Sequence, residues 1–150
     1  MTITDLNDPE IREELGEIVQ EMLDGIVEVS IPDGALPPAG GHQGKTIEST
    51  LTIDGGAEPA DLTVRIDGAS AVALTAAMIS EAPDEVTLEE ACETMGELTN
   101  VLGGSIKSLI DEETSLGTPT SEVHETSSMA PLISSVEVRH QLGCFEVRIG

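Results

Sequence analysis

Glu97 and Asn100 form a pair whose types and spacing suit a chemical task. On a helix, residues three apart are surface neighbours about one turn from each other. Neither side chain is a strong nucleophile. A carboxylate beside a carboxamide can instead orient a water molecule while a partner supplies the reactive group. The amide oxygen accepts a hydrogen bond from the water, and the amide N–H donates another to a phosphoryl oxygen. In-line phosphoryl transfer asks a protein mainly for positioning and charge. The string E-x-x-N is also common, and a plain solvated helix face is the competing reading. Other catalytic layouts are missing: the chain has no G-x-S-x-G elbow, no H-E-x-x-H and no Cys-His pairing.

The element that must hold this pair is the stretch Thr87–Asp111, which reads as one long helix. At about 100° per residue, Leu88, Ala91, Cys92, Met95, Leu98, Thr99, Leu102, Ile106, Leu109 and Ile110 fall on one apolar stripe. Glu93, Glu97, Asn100 and Gly104 fall opposite. Thr87 followed by Glu90 is a capping-box start. Inside a helix Asn costs roughly half a kcal/mol relative to Ala, and Gly about 1. Gly96, Asn100, Gly103 and Gly104 therefore work against the helix, which points to a role outside helix stability. Gly103 and Gly104 are expected to remove bulk that would block a partner approaching Asn100. Cys92, on the apolar stripe, is expected to be a buried free thiol.

Composition bounds the partners. A chain of 150 residues with 39% hydrophobic content suits one domain, taken as residues 1–150. Phe145 is the only aromatic residue, which disfavours sugar binding, aromatic cages and base stacking. Twenty-nine acidic residues against six basic ones give a net charge of −23. Nucleic acid and anionic membrane surfaces both require clustered cations, so neither is an expected partner. The acidity keeps the chain soluble and can steer a basic partner, or it can reflect an acidic proteome. Cys92 and Cys144 form no motif, and His124 and His140 lack ligand-spaced companions, so no metal site is expected. No signal peptide or membrane span is visible, and a cytoplasmic location is the expectation.

Asp8-Pro9 opens a first helix expected over Pro9–Asp24, with Gly25 as its stop. The alternation of Ile26–Ile31 predicts a short strand. Three prolines and four glycines make Pro32–Gly44 a loop, with no phosphate-loop spacing. Lys45–Asp54 and Asp61–Asp67 read as a hairpin turning at Asp54-Gly55-Gly56. Ala69–Ser80 is an Ala-rich helix, broken off at Pro83-Asp84. Beyond the long helix, Ser115–Thr120 is extended and edge-like because of Pro119. Ser121–Ser128 is simply polar, and Leu132–His140 and Cys144–Ile149 read as strands. The class is α+β, a mainly antiparallel sheet packed by long amphipathic helices. One internal echo is present: Glu13–Gln20 and Glu93–Asn100 both read E-x-x-G-E-x-x-(Q/N). Chance and a pseudo-symmetric fold are both open as its source.

The run Met95–Leu109 (M-G-E-L-T-N-V-L-G-G-S-I-K-S-L) resembles the signature helix of the CheX/CheC/FliY chemotaxis phosphatase family. That pattern is a Glu and an Asn two residues apart, then small residues, often a Lys, and an extended segment with Pro. Lys107 and L-G-T-P-T around Pro119 fill the later places. The resemblance spans roughly Lys45–Gly150, and a single E-x-x-N helix makes the chain most like CheX. It implies a CheX/CheC-like fold and dephosphorylation of the phospho-aspartate of a CheY-like receiver domain. By the same resemblance Asn100 would place the attacking water and Glu97 would contact the receiver's active-site Lys. Glu93, Gly103 and Gly104 would face the partner. Mg²⁺ would belong to the receiver, leaving this chain no cofactor of its own, and a homodimer is the family's usual state. The chain departs from the pattern in three places. Glu93 replaces Asp or Ser, the spacing from Asn100 to Pro119 is short, and Gln20 replaces the Asn of a second site. One added methylene moves that amide by about 1.5 Å, so Glu17/Gln20 is read as non-catalytic. Two further readings use the same helix face without catalysis: docking to a receiver or flagellar-switch partner, and dimerisation alone.

Overall fold

A computed structural model describes residues 8–31, 42–55, 59–110 and 113–150. Helix α1 spans Pro9–Ser30, α2 Gly68–Ile79 and α3 Leu88–Lys107. The strands are β1 (Lys45–Asp54), β2 (Ala60–Asp67), β3 (Ser115–Leu116), β4 (Thr120–Glu125), β5 (Val136–His140) and β6 (Gly143–Ile149). Every strand pair is antiparallel. The order across the sheet is β3-β1-β2-β6-β5, with β4 also pairing along β1. The class is α+β, as the hydrophobic patterning predicts.

Alternation along the strands decides which face the helices cover. Ile47, Leu51 and Ile53 of β1, Leu62, Val64 and Ile66 of β2, and Phe145, Val147 and Ile149 of β6 are buried. The residues between them are mostly partly or fully exposed, so one sheet face meets the helices and the other is polar. Leu15, Val19 and Leu23, one turn apart on α1, and Met95, Leu98, Leu102 and Ile106 on α3 complete the core. Helix α2 buries almost everything from Ala71 to Ala76, which its small side chains permit.

Several sequence expectations need correction. Ile26–Ile31 is not a strand: α1 runs through Gly25 to Ser30, because Ile26 and Val27 continue the face that packs on the core at helical spacing. No neighbour approaches Gly25, so its presence lowers helix stability without ending the helix. The polar stretch after Pro119 contains strand β4, which pairs with β1 over six residues from Thr120 to Glu125. An exposed edge strand needs no apolar alternation, and β4 shows none. The strand expected from Leu132 begins at Val136, and α3 ends at Lys107. The expected loop over residues 32–41, the turn residue Gly56 and the helix end at Asp111 lie outside the described residues.

Candidate functional site

Helix α3 is anchored at its start. Thr87 Oγ1 accepts the Glu90 N–H at 3.1 Å, and the Glu90 carboxylate accepts the Thr87 N–H at 3.2 Å. The reciprocal pair satisfies two otherwise orphaned backbone donors and fixes where the helix begins. Lys107 stands in the last turn, where a cation meets the negative end of the helix dipole. Between these ends the helix lies on β1 and beside β4.

The contact with β4 is built from small groups. A Cβ added at Gly96 would lie 3.6 Å from Ser121 Oγ and 3.9 Å from Pro119 Cγ. Ser121 Oγ in turn donates to Ser49 Oγ at 3.0 Å, across the β1–β4 pair. Ser49 is fully buried. Gly96, Ser121 and Ser49 therefore stack from helix to sheet with almost no side-chain bulk between them.

Above this stack lies an open cleft of about 580 Å³. One wall is the polar face of α3, with Cys92, Glu93, Gly96, Glu97 and Asn100. The other is the segment from Gly117 to Ser121. Glu93, Glu97 and Asn100 are exposed. No ion pair among the described residues involves Glu89, Glu93 or Glu97. The cleft thus offers a carboxamide one turn beyond a row of carboxylates, all on the same exposed helix face. Such a wall can position a water, accept a cationic side chain, or do both.

The structure separates the two glycines that the sequence grouped. Gly104 is exposed, with no heavy atom near its would-be Cβ, which agrees with open space beside Asn100. Gly103 is buried. Its Cβ would stand 2.5 Å from Leu51 Cδ2 and 3.5 Å from Leu116 Cδ1. The space that Gly103 leaves is taken by the sheet, so its expected role in partner clearance is replaced by close helix–strand packing. Cys92 is half-buried rather than buried, and it lines the cleft. Partial burial pushes its thiol up, and the Glu89 carboxylate adds to the rise, so the group stays protonated.

The echo in α1 has a spatial counterpart. Glu13, Gly16, Glu17 and Gln20 line a separate cleft of about 550 Å³ against Glu137, Val138 and Arg139 of β5. Gly16 would place a Cβ 3.5 Å from Val136 Cγ1, much as Gly96 does against Ser121. Gln20 is half-buried where Asn100 is exposed. Sequence reasoning placed Leu116–Thr120 in the family pattern but gave neither this wall nor Ser121 a role in the site. Their only signal was Pro119, because the pairing that brings them to α3 is a long-range contact with β1.

Comparison with known proteins follows this geometry. The sequence pattern of the family described as chemotaxis phosphatase CheX matches residues 49–131. No curated protein sequence matches. Among solved structures, CheX from Vibrio vulnificus aligns at a TM-score of 0.62 and 17% identity, covering 93% of this chain and 98% of its own. CheX from Desulfovibrio desulfuricans aligns at 0.60 and 14% identity, covering 91% and 98%. The CheX–CheY–BeF3–Mg²⁺ complex from Borrelia burgdorferi aligns at 0.56 and 14% identity, covering 89% of this chain and 95% of that one. At these identities the structural likeness speaks for the fold, and the family match, which covers more than half of the chain and includes α3 and the cleft, goes further: the chain belongs to the CheX chemotaxis phosphatase family.

Proposed function

We propose that this protein hydrolyses the phospho-aspartate of a CheY-like receiver domain, with Asn100 positioning the water and Glu97 contacting the receiver. The observation that carries the reading is the joint exposure of Glu97 and Asn100 on one wall of an open cleft, inside the segment that matches the family. The CheX–CheY complex among the similar structures supports a CheY-like partner. In this reading the water oxygen attacks phosphorus in line with the bond to the aspartyl oxygen. That bond breaks, the aspartate leaves as a carboxylate, and the water protons end on inorganic phosphate. Mg²⁺ belongs to the receiver. This chain contributes placement of the nucleophile, which in-line transfer rewards strongly. Glu97, exposed and without an ion-pair partner among the described residues, is free to meet a Lys of the receiver and set its register.

The test is phosphate release from a receiver loaded with acetyl phosphate, comparing the wild type with Asn100→Ala. The variant is expected to lose about a hundredfold or more in rate while still binding the receiver. Equal release by the two proteins would refute the assignment. Glu93 favours a second reading, docking without hydrolysis, because it adds a carboxylate to the cleft wall one turn before Glu97. Under that reading wild type and Asn100→Ala bind the receiver equally and neither releases phosphate.

A further inference from the structure

A second depression opens beside α3, between it and α1, with a volume of about 730 Å³. Unlike the cleft it is apolar, lined by Met22, Ile26, Val29, Met78, Val101 and Leu109 among others. Val29 is 82% exposed and Val101 55%. Scattered singly, such side chains need no explanation, but here they gather in one groove. Its α1 wall runs from Ile18 to Ser30, about 18 Å at the helical rise, or just over three turns. Met22 and Met78 supply side chains that adapt to whatever packs on them. Polar groups on the lining include Glu21 and Glu97, and no cation.

Glu97 belongs to both depressions. A partner that engages Glu97 from the cleft therefore stands at the edge of the groove. We propose that the groove seats an amphipathic helix of the receiver domain itself, with apolar side chains against Val29 and Val101 and Lys or Arg facing Glu21 and Glu97. The proposal rests on the receiver reading given above. Charge selects this occupant over a second copy of the chain. Arg12 and Lys107 are the only basic residues in α1, α2 and α3, so a copy would bring acidic helix faces against Glu21 and Glu97. Helix-in-groove docking uses the periodicity that the groove's length and shape accommodate.

The experiment uses a receiver domain that the wild-type protein dephosphorylates, with acetyl phosphate for turnover and beryllium fluoride for binding. Val29→Asp is expected to raise KM and weaken binding by about tenfold or more, since it places a charge where an apolar side chain is to be buried. The defect reads in KM and Kd rather than in kcat, and Val29→Leu restores both. Ile133→Asp, at a residue that is also highly exposed but outside both depressions, is the control and changes neither. Asn100→Ala shows the opposite pattern, with turnover lost and binding kept. If Val29→Asp leaves KM and Kd unchanged while Asn100→Ala is inactive, the groove inference alone is overturned. A Val29→Asp protein that changes sedimentation mass identifies a second copy as the occupant, and one that melts several degrees lower identifies the chain's own residues. Either result also overturns it. Absence of turnover by wild type for every receiver tried removes the functional reading and the groove proposal together.

Discussion

Gly103→Ala and Gly104→Ala form a matched test of how α3 is seated. The two positions are adjacent in one helix, so exchanging Gly for Ala gives each the same backbone gain, about 1 kcal/mol. Their surroundings differ. At Gly104 a methyl group meets nothing within 4 Å, and the variant is expected to be stabilised by about that gain. At Gly103 the methyl would lie 2.5 Å from Leu51 Cδ2, against a comfortable carbon–carbon separation of about 3.5–4.0 Å. Leu51 is 1% exposed and Leu116 closes the other side, so relief requires α3 or β1 to move. Overpacking of this kind costs about 1–3 kcal/mol. Gly103→Ala should therefore end between neutral and about 2 kcal/mol destabilised, and the gap between the two variants should be the overpacking cost itself. Urea unfolding with an unchanged m-value reads this gap directly. In thermal melts it corresponds to about 2–4 °C per kcal/mol for a chain of this size. Two variants stabilised equally would refute the packing argument. Receiver turnover supplies a second axis: Gly104→Ala is expected to raise KM, because its methyl points into the space a partner would occupy.

Three further outcomes are expected. His140 is 4% exposed at its side chain and lies 2.8 Å from Asp24 through Nε2, while its Nδ1 accepts the Leu142 N–H at 3.2 Å. Nε2 therefore carries the proton, and His140→Ala should lower unfolding free energy by about 1–3 kcal/mol by orphaning that N–H, measured by denaturant titration. Thr87→Ala removes the acceptor for the Glu90 N–H and should cost about 1 kcal/mol, visible also as faster amide exchange in the first turn of α3. Burial and Glu89 raise the Cys92 thiol, so at any pH through the ordinary thiol range less of it is thiolate than in the unfolded chain. In a Cys144→Ser background, disulfide-reagent labelling of native protein should lag behind labelling in denaturant until the pH passes above that range, and equal rates would refute the shift.

The parts of this fold that were legible in the sequence are those with a one-dimensional signal. Helix α3 declared itself through its stripe and capping box, and the β1–β2 hairpin through its β-branched runs. Glu97 and Asn100 stood out because Asn is a poor choice inside a helix. What the sequence hid was set by contacts between distant segments. Ile26–Ile31 alternates like a strand, yet packing of Ile26 and Val27 on the core holds it in α1. β4 is polar and looked shapeless, yet six backbone pairings to β1 define it. Gly103 and Gly104 are indistinguishable as letters, and only the position of Leu51 separates them. The groove beside α1 was invisible for the same reason, since Ile26, Val29 and Ser30 of its lining come from a segment read as a strand.

The stack of Gly96, Ser121 and Ser49 has a consequence for how the cleft can vary. The separation of α3 from the sheet at this level is set by a hydrogen atom and two hydroxymethyl groups, which act as the thinnest available shim. An alanine at residue 96 would still sit in ordinary contact, at 3.6 Å from Ser121 Oγ. Anything longer at Gly96, or a branched residue at Ser121, would thicken the shim and tip the helix outward, carrying Glu97 and Asn100 with it as one rigid edge. The reach of that edge is thus adjustable from beneath, through the contact between α3 and β4 rather than through Glu97 or Asn100 themselves.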